Sequence, residues 1–443
     1  MPSPRPTATR TVKALPAARQ AALEALTSSL RGQDSQASLD QALSRSRDTG
    51  PMDPRDAALA TELVYGTLRL KLRLDFILSH LLKNPEGLPG PMRLVLAMAT
   101  YEILFLDKVP AYATTNWATD YVKSAINPRL AKVSNAVLRG VSRLGQDHEN
   151  DDFYRQDDPG EALFLARRYA CPQWLTSLWL KAYGPLDTRA LLIATTNAPP
   201  LGLRFRMSVP GAKERHNELA ATHLCLAASE TGLALDKNPD DLKELLDSGM
   251  AVRQSFAGQQ ALEAIGSATW PRPMWDACCG RGGKTFLLAD AAPGTILASD
   301  PNARRLRGLA TESARLGTSN VAPFRTRADK FTPKRLVPAI LLDAPCTGLG
   351  VLSRRPDAKH RRTLQDVTDL AAVQSRLLAH TAICLAPGGT LAYVTCTLIP
   401  EENQSRVAAF LKDHPGFTQT TEFATPVDSP LGEFFYAAVL RKS

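Results

Sequence analysis

Leu341-Leu342-Asp343-Ala344-Pro345-Cys346-Thr347-Gly348-Leu349-Gly350 and Tyr393-Val394-Thr395-Cys396-Thr397-Leu398-Ile399-Pro400-Glu401-Glu402-Asn403 each carry an apolar run of strand length that ends in polar, Pro- or Gly-containing sequence. Each cysteine is therefore expected where a strand stops and a loop begins. Open α/β sheets keep their chemistry at such ends. A cysteine taken at random is a small buried apolar residue. That reading leaves Asp343, three residues before Cys346, and the Pro-Glu-Glu-Asn run after Cys396 without a purpose.

Working outward, the sequence from Trp275 onward alternates strand and helix patterns, as a doubly wound sheet does. Strands are expected near Pro273 to Ala277, Thr295 to Ser299, Ala339 to Leu342, Thr390 to Val394, Phe417, and Phe434 to Leu440. Helices are expected over Lys284 to Ala291, Ala303 to Leu316 and Leu364 to Leu385.

The first strand-to-helix turn reads Asp276-Ala277-Cys278-Cys279-Gly280-Arg281-Gly282-Gly283-Lys284-Thr285. Its glycines let a ligand approach backbone amides at a helix N-terminus. A P-loop fails because Cys278 stands where the first glycine belongs, and a dinucleotide fingerprint fails because Thr285 replaces the third. The remaining reading is an S-adenosylmethionine site. Cys278, Cys279, Gly280, Arg281, Gly282, Gly283 and Lys284 would wrap the methionine part, and Asp300 would accept hydrogen bonds from the ribose hydroxyls. Asp329 is placed for the adenine side, although an exposed loop carboxylate explains it equally, and Asp343 borders the same ligand.

Two cysteines beside a methyl donor suit one chemistry in particular. Carbon 5 of a pyrimidine is a poor nucleophile until a thiolate adds at carbon 6. One cysteine suffices for that addition, and a second near carbon 5 can help remove the proton afterwards. The Asp343 carboxyl can hydrogen-bond the base edge and steady charge on the ring.

The remaining chain frames this core. At 443 residues it has room for about three domains. Lys and Arg outnumber Asp and Glu by 53 to 44, which suits a polyanion partner. The 7 cysteines follow no disulfide or zinc spacing, so no metal is expected and a reducing cytoplasm fits. No membrane span is expected, and Met1-Pro2-Ser3-Pro4-Arg5-Pro6 reads as a Pro-rich lead-in. From about Ala17 to Leu144 the pattern is helical, with Leu59, Leu63, Leu70 and Leu74 on one stripe and Asp53-Pro54 as an N-terminal signal. Arg69, Lys71, Arg73, Lys123, Arg129, Lys132, Arg139 and Arg143 are read as surface cations; from charge alone, a phosphate track and an ordinary solvated face explain them equally well. The acidic run Gln146 to Asp152 reads as a linker, and Gly160 to Ile265 as a small α+β unit with strands at Pro199 to Arg206, Leu233 and Ala251 and a helix from Ala212.

The residues quoted carry resemblances. Arg55 to Arg69, Tyr101 to Pro110 and Ser134 to Arg139 resemble the helical RNA-binding domain of NusB type. Asp343 to Asp357 and Thr395 to Asn403 resemble the two signature motifs of RNA cytosine-5 methyltransferases, and the closing strand resembles theirs too. The resemblance implies that Cys396 is the nucleophile and that Cys346 assists product release. It implies a cytoplasmic, monomeric bacterial enzyme that takes S-adenosylmethionine and acts on small-subunit rRNA. The cofactor loop of that family reads Asp-x-Cys-Ala-Ala-Pro-Gly-Gly-Lys-Thr; here Cys279, Gly280 and Arg281 replace Ala-Ala-Pro, and Arg206 stands where the family often shows Asn. The expected architecture is an all-α NusB-like domain over residues 1–148, a small α+β domain over 159–265, and a Rossmann-like α/β methyltransferase domain over 266–443. A non-catalytic RNA-binding factor on the same fold is the rival expectation. A methyltransferase acting on tRNA or on a protein side chain is a third, sharing the cofactor and differing only in the acceptor. Arg354, Arg355 and Lys359, near Cys346, are read as grips on the substrate backbone, and His360 as a surface residue.

Overall fold

A computed structural model describes residues 15–47 and 52–443; the Pro-rich lead-in at Met1 to Pro6 lies outside the described residues. The chain separates into two compact units. One comprises the described residues up to Leu180 plus Arg355–Arg361, and the other comprises Lys181–Arg354 and Arg362–Ser443.

The first unit is built on helices α1 (Ala17–Leu30), α2 (Ser35–Arg47), α3 (Pro54–Leu81), α4 (Gly90–Phe105), α5 (Ala111–Tyr121) and α6 (Ala131–Leu144). The stripe on α3 is its core face: Leu63, Leu70 and Leu74 are buried with Leu26, Leu96 and Leu138, and Leu59 packs at the margin. Asp53 caps α3 by accepting the Arg55 amide at 2.7 Å, with Pro54 in the first turn where no donor is needed. α5 passes into a π-turn at Val122–Ile126, where the helical path ends. The cause is Asn127, which precedes Pro128 and is driven to extended backbone at φ −159°.

Two expectations need correcting here. Arg69 and Arg73 are buried, not surface cations. Arg73 donates to the Tyr154 hydroxyl, the His148 carbonyl and Glu149 Oε1, each at 2.7 Å. The acidic run read as a linker is thereby folded into short helices at Gly145–Glu149 and Asp151–Tyr154, with His148 and Tyr154 buried. A buried guanidinium must be paired, and this run supplies its acceptors. Lys123, Arg129, Lys132, Arg139 and Arg143 are exposed, as expected.

Arg355–Arg361 joins this unit by specific bonds. Ser35 Oγ donates to Asp357 at 2.9 Å, Lys359 Nζ donates to the Arg69 carbonyl, and His360 Nε2 sits 2.8 Å from the Leu68 carbonyl. Lys359 is therefore buried in protein and not a backbone grip, and His360 is half-buried instead of lying on the surface.

The second unit holds two sheets. Strands β1 (Leu201–Phe205), β2 (Cys225–Ala228), β3 (Gly232–Leu235) and β4 (Ala251–Arg253) form an antiparallel sheet in the order β2-β3-β1-β4 over Leu203, Phe205, Leu219, Leu233 and Leu235. The edge strand β2 was not expected, because Cys-Leu-Ala-Ala lacks the β-branched residues that mark a strand. Its Cys225 is only half-buried, not fully buried like Cys171 and Cys384.

The large sheet has β5 (Met274–Asp276), β6 (Ile296–Ser299), β7 (Val321–Phe324), β8 (Val337–Asp343), β9 (Leu385–Thr395), β10 (Phe417–Ala424) and β11 (Tyr436–Lys442) in the order β10-β11-β9-β8-β5-β6-β7. β9, β8, β5, β6 and β7 run parallel, and β11 is antiparallel to both neighbours. Alternate residues face two cores: Met274, Leu341 and Ala392 on one side, Trp275, Ile340, Leu342 and Tyr393 on the other. Burial on both faces explains why β8 reads as a continuous apolar run. β7 escaped the sequence because Pro323 demotes Val-Ala-Pro-Phe, yet at a sheet edge a missing N–H is tolerated.

His360 yields a test. Burial, foremost, and then the Lys359 charge push its imidazole down to about 4, from an ordinary value near 6.5. The folded state thus refuses a proton that the unfolded chain accepts, so stability is full above pH 6.5 and falls as pH drops towards 4. Thermal unfolding of the whole protein from pH 8 to pH 4 is expected to show this loss, up to roughly 3 kcal/mol. His360→Gln should flatten that part of the profile.

Candidate active site at the carboxyl edge of the sheet

The central strand β5 lies between β6 and β8, the point where strand order reverses and open sheets bind ligands. Around it, the strand ends bring together Asp276 and the glycine turn from β5, Asp300 after β6, Asp343 and Cys346 from β8, and Cys396 after β9. Asp343 pairs with Val394 across β8 and β9, so the two loops leave the sheet side by side.

The two sulfurs are 3.4 Å apart, and the Cys396 amide points at the Cys346 sulfur at the same distance. Backbone bonds hold the loops together: the Gly350 amide donates to the Cys396 carbonyl at 3.0 Å, and the Phe434 amide to the Gly350 carbonyl at 2.8 Å. A Cβ at Gly350 would lie 2.3 Å from the Phe434 oxygen, so only glycine admits this approach.

Beneath the sulfurs sits Glu402, fully buried. It accepts from the Thr347 amide at 2.9 Å, Thr347 Oγ1 at 2.5 Å, Gln374 Nε2 at 2.9 Å and Thr397 Oγ1 at 3.1 Å. Thr347 follows Cys346 and Thr397 follows Cys396, so one carboxylate joins both loops. Burial raises its pKa against the pull of these donors. Asn403 finishes the clamp, accepting from Thr395 Oγ1 at 2.6 Å and donating to the Thr397 carbonyl at 2.9 Å. Nothing in the Pro-Glu-Glu-Asn run singles out Glu402 or Asn403; Glu401, its neighbour and exposed, is the same residue type.

Lys284 opens the helix after the glycine turn. Its Nζ bonds Asp343 Oδ2 at 2.7 Å and lies 5.4 Å from the Phe435 ring centre. Burial pulls its pKa down, but the Asp343 carboxylate and the nearby Cys396 sulfur outweigh that and leave it raised. The ammonium therefore stays charged between the cofactor turn and the sulfur pair.

In the turn, Gly282 holds φ 92°, and a Cβ there would strike Phe286 at 2.5 Å. Gly280 and Gly283 face open space. Asp276 is buried; Oδ2 accepts from Thr285 Oγ1 at 2.6 Å, while Oδ1 has no hydrogen bond of normal geometry among the described residues. Burial drives its pKa up to about 7. The Cys278 and Cys279 thiols are pushed well up, first by burial and then by Asp276, which makes them inert. Asp300 is buried, with Oδ1 accepting the Asn302 amide at 2.7 Å and Oδ2 3.4 Å from Arg305. Asp329 is held bidentately by Arg327 at 2.9 and 2.7 Å, so its carboxylate is already engaged. Arg281 turns towards the helix Ala303–Leu316, where a Cβ on Gly308 would meet its Nε at 3.2 Å. Arg354 is likewise engaged, donating to Glu433 at 2.6 Å, while Arg355 is exposed.

The large sheet is Rossmann-like, with a glycine turn after its central strand, and the first unit is helical. Residues 16–143 match the NusB family, and residues 269–437 match the family described as 16S rRNA methyltransferase RsmB/F. A Synechocystis protein described as a probable ribosomal RNA small subunit methyltransferase B is 32% identical over 402 residues, 87% of this chain and 88% of that protein. An Escherichia coli ribosomal RNA small subunit methyltransferase B is 30% identical over 414 residues, 88% of this chain and 91% of that protein. The fold also matches the crystal structure of PH0851, with a TM-score of 0.76 at 22% identity over 98% of this chain and 100% of that one. The chain belongs to the 16S rRNA methyltransferase RsmB/F family. Among the described residues, no helix is long and apolar enough to cross a membrane.

The Glu402 clamp is testable without any substrate. Glu402→Ala strands its buried donors, each at about 1–3 kcal/mol. Urea unfolding of the variant should show a loss of roughly 3–5 kcal/mol, and the Cys346 and Cys396 thiols should react faster with a maleimide. Wild-type stability and thiol reactivity would show that the carboxylate does not hold the loops.

Proposed function

We propose that this chain methylates carbon 5 of a cytosine in small-subunit rRNA, with Cys396 as nucleophile and S-adenosylmethionine as donor. The observation that carries the proposal is the pair of sulfurs 3.4 Å apart beside the Lys284 ammonium.

The residues at the turn fit the donor. Gly280 and Gly283 leave their faces open, and Asp276, whose Oδ1 has no partner of normal geometry among the described residues, ends the strand from which the turn leaves. Cys278, Cys279, Gly282, Asp300 and Asp343 complete the lining, with Asp329 available only through exchange with Arg327. When bound, S-adenosylmethionine supplies an electrophilic methyl group.

The chain's own groups account for the rest. The Cys346 thiol is pushed well above its ordinary value, first by its hydrogen bond to Cys396 and then by burial. In this reading Cys346 keeps the shared proton and donates its S–H hydrogen bond to a Cys396 thiolate steadied by Lys284. That thiolate forms a bond to carbon 6 of the cytosine and moves the ring electrons to carbon 5, the atom that would receive the methyl as the donor's sulfur–methyl bond breaks and S-adenosylhomocysteine leaves. Asp343 accepts from the exocyclic amine, and its ion pair with Lys284 fixes its position. Once Cys396 is a thioether it carries no charge, so the largest of the causes that raised Cys346 is gone and only burial and Glu402 still oppose its ionisation. Cys346 loses its proton to solvent, takes the one on carbon 5, and the carbon–sulfur bond breaks to restore the ring.

The exposed Lys123, Arg129, Lys132, Arg139 and Arg143 of the helical unit are proposed to track rRNA phosphates. The division of labour proposed is RNA seating by residues 1–148 and 159–265, and catalysis by 266–443, in the cytoplasm.

Methyl transfer to small-subunit rRNA, with the product mapped as 5-methylcytosine, tests this reading. Cys396→Ala should lower the rate by at least about 10³-fold. Cys346→Ala should accumulate protein covalently joined to RNA, visible as a band resistant to denaturing electrophoresis. A Cys346→Ala protein that turns over normally and never crosslinks would overturn the assigned roles. Absence of heat on titration with S-adenosylmethionine would instead favour the non-catalytic RNA-binding rival.

A further inference from the structure

We propose that an arginine-lined cavity of about 340 Å³ beside the glycine turn binds a backbone phosphate of the RNA substrate. The inference rests on the RNA methyltransferase reading above and adds a subsite to it.

The cavity lies within the second unit, walled by Arg204, Arg253, Arg281 and, on the helix Ala303–Leu316, Gly308 and Glu312. Arg204 is the decisive group, being 2% exposed. Its Nε donates to Gln254 at 2.9 Å and its Nη1 to Asp290, but its Nη2 is buried with no hydrogen-bond partner among the described residues. A buried, charged donor left unmade is costly, and an incoming acceptor would satisfy it. Arg281 reaches across the bare backbone of Gly308, where the absence of a side chain keeps the space open. Neither Arg281 nor Arg253 has a carboxylate within ion-pair distance among the described residues, and Arg253 is exposed.

The charge balance points the same way. Arg206 shares Asp290 with Arg204, and Glu312 is held by Arg315 at 2.5 Å. With Arg253 and Arg281 added, guanidinium groups exceed carboxylates, so the ligand should be an anion. Guanidinium forks match phosphate oxygens, and a phosphate accepts several at once. Gly283 lines the cavity and is followed by Lys284, whose Nζ reaches Asp343 beside the sulfur pair. In the proposal, the RNA strand whose target base lies over Cys396 extends past this cavity with a neighbouring phosphate. Arg281 stands where the resembled loop carries proline, so this cation is a feature of the present chain.

The test compares the full-length wild type with Arg253→Gln and the Arg253→Gln/Arg281→Gln double variant, leaving the buried Arg204 intact. Binding of a small-subunit rRNA transcript is measured across a salt series. Each lost cation should raise the RNA Kd roughly tenfold and lower the slope of log affinity against log salt by about 0.7 to 0.9. Inorganic phosphate, added at constant ionic strength, should raise the melting temperature of the wild type more than that of the double variant. Wild-type Kd and slope in the double variant would overturn the proposal. So would phosphate protection without any effect on RNA, which marks a free-anion site only, or weakened S-adenosylmethionine binding by Arg253→Gln, which assigns the cavity to the donor. A wild type that binds RNA but transfers no methyl to it would sink the functional reading, while the salt slopes would still decide the subsite.

Discussion

The active edge of this protein depends on one buried carboxylate. Glu402 takes hydrogen bonds from Thr347 and Thr397, the residues that follow the two cysteines, and from Gln374 on the helix Leu364–Cys384. Loops leaving adjacent parallel strands have no reason of their own to converge. The cost of burying Glu402 is offset only when every donor is in place, so the clamp allows one arrangement of the loops. That arrangement sets the two sulfurs in contact. The close approach at Gly350 acts in the same direction, since any side chain there would force the loops apart.

Electrostatics also act across the sulfur pair. Contact between the sulfurs makes a second negative charge costly, so one proton stays with the pair. Lys284, kept charged by Asp343, also feels the Cys396 sulfur. The same lysine links the cofactor turn to the sulfur pair, because Gly283 and Lys284 open the helix after β5. Cys278 and Cys279, two residues of the same type a short distance away, are silenced by burial and by Asp276.

Much of the fold was legible in the text. Doubly buried strands announce themselves as apolar runs, and the Ala303–Leu316 helix matched its expected span because Asn302 caps it and Gly317 ends it in the left-handed region. β2 and β7 were not legible: one lacks strand-forming residues and the other contains a proline, and both exist because a neighbouring edge was free to pair with them. The run Gln146 to Asp152 looked like a linker because it is acidic and polar. Its order comes from Arg73, more than seventy residues away in sequence. Lys359 and His360 were misread for a similar reason, since the groups that bury them belong to α3.

By itself the sequence determined the fold class, the motif residues and the chemistry that two cysteines near a glycine turn make available, because these follow from residue type and local spacing. Only the tertiary structure decided that Glu402 and not Glu401 is the clamp, that Lys284 pairs with Asp343, that Asp329 is already paired, and that Arg204 holds an unspent donor at a cavity wall. Each of those depends on which charged groups lie within a few ångströms and on how much water is excluded between them. Both are properties of packing between distant segments, and no local pattern encodes them.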